Sequence, residues 1–249
     1  MRFSISHDLN YSYDSPVRLS TQYLRLYPRD TARQKVLAWK LETLGQPMRT
    51  QDGYGNVLHV LTLDKPVSEI SIHAEGTVET APTLDEPSDF RGTPLSPLLF
   101  LRQTALTRVN GELGGFAERF RRGAGSLSGL RELAGALLMR NPEDSSEQLT
   151  HAFIGCCRHL GVPARYVSGY IHSAQRPANV TALHAWAEAW VVERWRSFDV
   201  AQGAAVGEGH IKIAIGGDYL DGCPVRGVRT GGGAETLIAQ TEVAAHSQQ

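Results

Sequence analysis

The chain has 249 residues, and its 25 lysines and arginines nearly balance 26 aspartates and glutamates, so that its formal net charge is -1. This balance predicts no nucleic-acid partner and no attraction to an anionic membrane surface. Hydrophobic residues make up 41% of the sequence and charged residues 20%, a composition that excludes global disorder.

Targeting, redox and metal signals are all weak in this sequence. It contains no apolar run long enough for a secretory signal or a membrane span. Of the three cysteines, Cys156 and Cys157 are neighbours that cannot easily bridge each other. These features predict a soluble protein of the reducing cytoplasm. The nine histidines lack ligand spacing, so we expect no metal and no cofactor.

The first 85 residues have the period-two alternation of an antiparallel β-domain. Strand-like alternation runs from residue 3 to about residue 80. Within it, Asp52-Gly53-Tyr54-Gly55-Asn56 supplies the residues of a hairpin turn. A proline-rich segment between residues 82 and 97 then predicts a linker. We therefore expect a β-domain at residues 1–85 and a second domain at residues 98–249.

The second domain begins with helical periodicity. Apolar residues at three- and four-residue steps predict one helix from Leu98 to Val109 and another over residues 127–138. The arginines between these helices are expected to form a solvated surface rather than an anion site. They are Arg119, Arg121 and Arg122.

A third helix is predicted to be central to the second domain. Ser145 and Gln148 have the spacing of a capping box, and Gly161 ends the periodic pattern. Its predicted buried stripe consists of Leu149, Phe153, Cys156 and Leu160. A strand at residues 164–171, a hairpin of residues 183–192 and 195–200, and a strand tail follow. The predicted fold class is α+β, with the third helix packed on an antiparallel sheet.

Three motifs in the second domain carry specific information. Residues 158–170 read RHLGVPARYVSGY, residues 184–190 read HAWAEAW, and residues 195–199 read WRSFD. In order and spacing they resemble the core of the bacterial transglutaminase-like family. YDSPV and LRLYPR in the first domain, and GDYLDGCPVRG in the tail, resemble the same family. The resemblance therefore covers nearly the whole chain.

The resemblance implies a papain/transglutaminase-like core with a Cys, His, Asp triad that attacks an amide carbonyl. On this pattern His184 is the general base and Asp199 orients it. The nucleophile position, twelve residues before Arg158, is occupied by Ser146 instead of cysteine. Trp186 lies one strand step from His184 and is the candidate substrate-binding residue.

Strand geometry partly supports the pairing of the histidine with the aspartate. Alternation along two hairpin strands puts His184 and Asp199 on the same face of the sheet. If Glu193 and Arg194 form the turn, Asp199 lies opposite Glu188, about 13 Å along the strand from His184. A bulge or a shifted turn is then needed to bring the pair together.

The nucleophile position departs from the family pattern. A serine hydroxyl is much harder to ionise than a thiol, and Ser146 is also an ordinary residue for a helix N-terminus. Asp144 replaces a glycine of the family and would disfavour a nearby anion. The existing cysteines cannot substitute for the missing thiol, because two lie about 15 Å further along the helix and the third lies in the tail. All three are expected to be buried: Cys156, Cys157 and Cys223.

Two functions therefore remain open. The chain is either an enzyme that acts on peptide or glutamine-type amides, by acyl transfer or hydrolysis, or a non-catalytic module that holds a peptide or protein in a degenerate cleft. In the enzyme alternative, Ser146 is a functional alcohol or a substitution for a natural cysteine. The missing thiol favours a protein that is inactive or impaired as written. The sequence specifies neither a substrate nor an oligomeric state.

Overall fold

The computed structural model describes residues 1–81, 85–86, 95–172 and 183–246. Its strands in chain order are β1 (Arg2–Leu24), β2 (Gln34–Thr43), β3 (Met48–Gln51), β4 (Val57–Leu63), β5 (Val67–Thr80), β6 (Asp85–Glu86), β7 (Ala164–Ile171), β8 (Leu183–Val191), β9 (Arg194–Asp199), β10 (Ala204–Ala205), β11 (His210–Gly216), β12 (Val225–Gly231) and β13 (Glu235–His246). Its helices are a 3₁₀ turn (Pro97–Leu101), α1 (Gly111–Glu118), α2 (Leu127–Arg140), α3 (Ser146–His159) and α4 (Tyr219–Gly222). The fold class is α+β, as the sequence predicts.

Strand β1 is the centre of the first sheet and has partners along both of its edges. On one edge it pairs with β5 and then β4, and on the other with β13 and then β12. Strands β2 and β3 lie outside β5 and β4. All these pairs are antiparallel. With two strands on one side of β1 and one on the other, the first sheet is four strands wide along most of the length of β1.

The predicted hairpin turn lies between β3 and β4. Gln51 pairs with Val57, and Gly55 adopts a φ of 79°, which glycine tolerates better than other residues. The Asp52 carboxylate accepts hydrogen bonds from the backbone N–H groups of Tyr54 and Asn56 at 2.9 and 3.0 Å. The turn prediction is confirmed, and the side chain of its first residue stabilises it.

The C-terminal strands lie in a different sheet from the one expected. The sequence prediction included the tail with the core of residues 98–249. In the structure β12 and β13 instead pair with β1, with Tyr23 opposite Arg226 and Tyr13 opposite Glu235. The reason is that β1 is 23 residues long and β4 and β5 occupy only one of its edges. The other edge would expose unpaired backbone groups without the tail.

The second sheet has the order β10, β9, β8, β7, β11, with β6 also paired to β9. Helix α3 packs on β7 and β8, where Phe153 and Cys156 share a core with Ala185 and Ala187. The predicted stripe is confirmed as buried. The capping box of Ser145 is also confirmed, because both of its hydrogen bonds are present at the N-terminus of α3.

The first of the two predicted N-terminal helices is wrong. Only Pro97–Leu101 is helical in that segment, as a 3₁₀ turn, and α1 begins after the N-cap residue Asn110. The side chains of Thr104 and Thr107 each accept a hydrogen bond from the other's backbone N–H, at 3.2 and 3.0 Å. These local bonds compete with helix formation.

In the described part of the chain no helix is both long and apolar enough to cross a membrane.

The second predicted helix corresponds to α2, and the arginines before it are exposed as expected. Arg121 forms an ion pair with Glu118 on the surface, at 2.5 Å. Such exposed pairs contribute about 0–1 kcal/mol, so this segment is ordinary solvated surface.

A buried histidine joins the two sheets. His7 of β1 is 1% exposed, and its Nδ1 lies 3.0 Å from the hydroxyl oxygen of Tyr170 in β7. Burial lowers the pKa of His7 from 6.5 to about 4, although Asp8 partly opposes this shift. The neutral imidazole is therefore the form that the folded protein stabilises.

We expect this histidine to make the fold acid-sensitive. A folded-state pKa below the unfolded value gives stability that is present above pH 6.5 and is lost as the pH falls through about 4. The loss should be about 3 kcal/mol. Urea unfolding of wild type and His7→Gln between pH 7 and pH 4 measures it. Equal pH dependence in the two proteins would contradict the prediction.

Candidate functional site

The hairpin of β8 and β9 carries the histidine and aspartate of the candidate site. Ala187 pairs with Phe198, and continuing this register places Asp199 opposite Trp186. His184 is two residues from Trp186 and so lies on the same face of the sheet. The Nε2 atom of His184 is 2.8 Å from Oδ2 of Asp199. The hairpin thus brings the two predicted residues into direct hydrogen-bond contact.

The turn of this hairpin is not the one that the sequence indicated. Val191 pairs with Arg194, so the turn is formed by Val192 and Glu193 rather than by Glu193 and Arg194. Both turn residues have positive φ, 52° and 57°. This shift moves the partner of Asp199 from Glu188 to Trp186. The structure therefore has the shifted turn that the sequence analysis required for contact between His184 and Asp199.

Asp199 is a buried carboxylate with several donors. It is 1% exposed and accepts hydrogen bonds from Nε2 of His184 and Nε2 of His210, each at 2.8 Å. The backbone N–H of Gln202 donates to its other oxygen at 3.2 Å. Burial raises the pKa of this carboxyl, but the two imidazoles outweigh burial and lower it to about 2. Asp199 is therefore ionised at neutral pH.

The hydrogen bonds also define the tautomers of the two imidazoles. In His210, Nδ1 accepts the backbone N–H of Gly207 at 3.2 Å, so Nε2 carries the proton that is donated to Asp199. In His184, Nε2 faces the carboxylate, which leaves Nδ1 as the proton-accepting nitrogen. Among the described residues, none hydrogen-bonds to Nδ1 of His184.

A divalent cation fits this cluster poorly. The ligand atoms of His184, Asp199 and His210 lie within 4.8 Å of one another, as in many metal sites. A metal-bound imidazole, however, normally donates a hydrogen bond from its other nitrogen. In His210 that nitrogen accepts one from Gly207 instead. The donor chemistry therefore favours a hydrogen-bonded cluster, and the expected lack of a metal stays a prediction.

Trp186 forms a wall of the cluster. It is 1% exposed, its ring is stacked at 29° to that of His184, and it meets the ring of His210 edge-on at 5.3 Å. A Cβ atom added to Gly169 would lie 2.3 Å from the indole, so the ring fits only because that residue is glycine. Contact between Trp186 and a substrate stays a prediction.

Ser146 is the first residue of α3 and is half-buried. The capping hydrogen bonds come from Ser145, so the Ser146 hydroxyl is not needed to begin the helix. Four residues connect α3 to β7, on which the helix packs, so we expect α3 to run antiparallel to β7. Because Gly169 near the end of β7 pairs with His184, this direction would put the N-terminus of α3 toward the His184 end of β8. In the described residues no hydrogen bond joins Ser146 to His184 or Asp199.

The cysteines are buried in the core, as predicted. Cys156 and Cys157 are both 0% exposed and Cys223 is 2% exposed. Burial raises the pKa of Cys156 to about 12 and that of Cys157 well above its usual value, and it also raises the pKa of Cys223. These thiols are therefore poor nucleophiles at neutral pH.

Two families of known proteins match the chain in separate regions. The bacterial transglutaminase-like N-terminal region matches residues 3–79, and the transglutaminase-like superfamily matches residues 138–200. The second match includes Ser146, His184 and Asp199.

Relatives of similar length and one solved structure agree with these matches. The uncharacterized protein ML0607 of Mycobacterium leprae is 28% identical over 97% of this chain and 98% of its own length. The uncharacterized protein Rv2569c of Mycobacterium tuberculosis is 24% identical over 91% of this chain and 87% of its own. The crystal structure of a proposed cysteine protease from Cytophaga hutchinsonii has a TM-score of 0.69 at 19% identity, and the match covers 100% of this chain and 92% of that one. The last match concerns the fold alone.

Proposed function

Because the chain belongs to the bacterial transglutaminase-like family, we propose that His184 and Asp199 are the acid–base pair of an acyl-transfer site whose nucleophile position is held by Ser146. The ligand is a peptide or protein that presents a glutamine-type amide. The 2.8 Å hydrogen bond between His184 and a buried, ionised Asp199 is the observation that supports this proposal.

The proposed chemistry needs a proton acceptor next to the nucleophile. With Nε2 of His184 donating to Asp199, Nδ1 can take the proton of a thiol or hydroxyl at position 146. The freed sulfur or oxygen attacks the amide carbon, the carbon–nitrogen bond breaks, and the imidazolium gives its proton to the leaving nitrogen. Water or an amine then accepts the acyl group. Asp199 stabilises the imidazolium between these steps.

We propose that the chain as written performs this reaction poorly. A thiol has a pKa of about 8.5 and a nearby imidazole can ionise it, whereas an alcohol depends entirely on a well-aligned base. No hydrogen bond joins the Ser146 hydroxyl to His184 in the described residues. This observation favours the second candidate function, in which the cleft holds a peptide or protein without efficient turnover.

The test introduces the thiol. Ser146→Cys is treated with a peptide in which the glutamine side-chain amide is replaced by a chloromethyl ketone. We expect alkylation at pH 7 to be about 100-fold to 10,000-fold faster than in the control Ser128→Cys. Ser128 is exposed in the first turn of α2, so the control places the same group at a helix N-terminus away from the candidate site.

Two further variants interpret the result. His184→Gln in the Ser146→Cys background should reduce alkylation to the rate of the control. Wild type should label slowly, because its own cysteines are buried. Equal rates for Ser146→Cys and Ser128→Cys would overturn the acyl-transfer proposal. Calorimetric titration of wild type with the unmodified glutamine peptide tests the second candidate, since a non-catalytic module binds the peptide and releases no ammonia.

A further inference from the structure

A second imidazole contacts the proposed catalytic pair. His210, the first residue of β11, donates from Nε2 to the same Asp199 oxygen that faces His184, at the same distance of 2.8 Å. It is 6% exposed and lies edge-on against Trp186. With Nδ1 held by the N–H of Gly207, His210 can only donate to Asp199. It therefore fixes the direction of the carboxylate.

The N-terminal β-domain holds the loop that carries this imidazole. Arg33 lies just before β2 and is 4% exposed. Its Nη1 donates to the carbonyl oxygen of Gly207 at 2.9 Å, and its Nη2 donates to the carbonyl oxygen of His210. Thr80 donates from its hydroxyl to the carbonyl oxygen of Glu208 at 2.7 Å. Three hydrogen bonds from the β-domain thus reach the carbonyl oxygens of residues 207, 208 and 210.

We infer that His210 is a positioning residue for Asp199 and His184, and that Arg33 of the β-domain holds His210 in place. This inference rests on the proposed function. The connection runs from Arg33 to the carbonyl groups of Gly207 and His210, from the Gly207 N–H to the His210 ring, and from that ring to Asp199. The β-domain is therefore part of the site and not only an attached unit.

His210 and His184 share the carboxylate of Asp199, so the position of His184 depends on how that carboxylate is oriented. An acid–base group that is misplaced by about 1 Å can lose about a hundredfold in rate. Asp199 has two oxygens, and its Oδ2 must point at His184 while Oδ1 accepts the N–H of Gln202. Without the Nε2–H of His210, His184 itself and the N–H of Gln202 are the remaining hydrogen-bond donors to Asp199 among the residues that the structure describes. A mobile His184 then accepts the nucleophile's proton less efficiently.

The test uses the Ser146→Cys background and the chloromethyl ketone peptide. His210→Phe keeps a ring of similar size and removes both hydrogen bonds. We expect its alkylation rate to fall about tenfold to a hundredfold at pH 7 and to match the parent near pH 9, where the thiol ionises without the imidazole. His210→Gln keeps an N–H donor and should recover most of the rate at pH 7.

Arg33→Met should give the same pH pattern with a smaller loss, and Arg33→Lys should recover part of it. The matched control is Lys35→Met, because Lys35 is exposed on the same segment and should change neither rate. An unchanged rate at pH 7 in His210→Phe or Arg33→Met would overturn the inference. An equal loss at both pH values would overturn it as well, since that pattern indicates general damage to the fold.

A readout without labelling separates this inference from the proposed function. In protein with the native Ser146, the ¹³C carboxyl signal of Asp199 should remain that of the ionised form down to the lowest pH at which the protein stays folded, and His210→Phe should shift the onset of its titration to higher pH. No shift would overturn the positioning role. A clear shift combined with equal labelling of Ser146→Cys and Ser128→Cys would show that the proposed function fails while the contact of His210 with Asp199 stands.

Discussion

Glu188→Gln is expected to lower the free energy of unfolding by about 3–5 kcal/mol. The Glu188 carboxylate accepts hydrogen bonds from Nε and Nη2 of Arg165, at 2.6 and 2.5 Å, and lies 2.5 Å from Nζ of Lys212. All three side chains are 2% exposed or less. Glutamine lacks the negative charge that lies beside these two buried cations. Burying a cation costs more free energy when such an opposite charge is lost.

Urea unfolding monitored by tryptophan fluorescence measures this loss as a lower midpoint with an unchanged slope. Glu132→Gln is the matched control, because Glu132 is exposed on α2 and should change stability by less than about 0.5 kcal/mol. Lys212→Met combined with Glu188→Gln should cost less than the sum of the single changes, since both remove the same interaction. A loss below about 1 kcal/mol for Glu188→Gln would contradict the prediction.

The second large effect is expected for Arg158→Met, with a loss of about 3–5 kcal/mol in the free energy of unfolding. The buried Arg158 guanidinium donates to the carbonyl oxygens of Phe100, Ala164 and Gly217 at 2.6 to 3.1 Å. It also donates to the Thr107 hydroxyl at 2.8 Å. Methionine keeps the packing of the aliphatic stem but leaves these buried acceptors without their donor.

Burial lowers the pKa of Arg158 to about 10, although several acidic groups oppose this shift. The group still carries its charge at neutral pH, so Arg158→Lys should retain part of the stability by keeping the charge with fewer donors. Thermal and urea unfolding compare these variants with Arg131→Met, a change on the exposed face of α2. Equal stability of Arg158→Met and Arg131→Met would show that the guanidinium contacts contribute little.

Local signals in the sequence were sufficient for most of the elements. The capping box at Ser145 marks the start of α3, and Gly161, with its positive φ, marks its end. Both signals can be recognised in the sequence because they act within a few residues. The first predicted helix failed for a similarly local reason. Thr104 and Thr107 bond to each other's backbone, a choice that apolar periodicity does not reveal.

The candidate site could be predicted only in part. Strand parity put His184 and Asp199 on one face, but the register depended on a turn at Val192 and Glu193. Valine disfavours positive φ, so the local sequence does not select this turn. Burial of the flanking Val191 and the pairing of Trp190 with Trp195 accompany the observed register.

No pattern in the sequence indicates the role of the second imidazole, that of His210. His210 reaches Asp199 only because the second sheet brings the start of β11 near the end of β9, although β7 and β8 lie between these strands in the sheet order. Arg33 is still further away along the chain and contacts the same loop through backbone carbonyl groups, which leave no mark in residue type. Only the three-dimensional arrangement of the chain identifies these two residues.

The pairing of β1 with β13 has a consequence for synthesis on the ribosome. Arg2 lies opposite His246 and Phe3 opposite Ala245, so one edge of β1 stays unpaired until β13, far later in the chain, has been translated. Until then, that edge of β1 offers unsatisfied amide and carbonyl groups to other nascent chains. Polysomes are therefore where this protein is most exposed to mispairing, and a chaperone that shields extended segments should raise its yield.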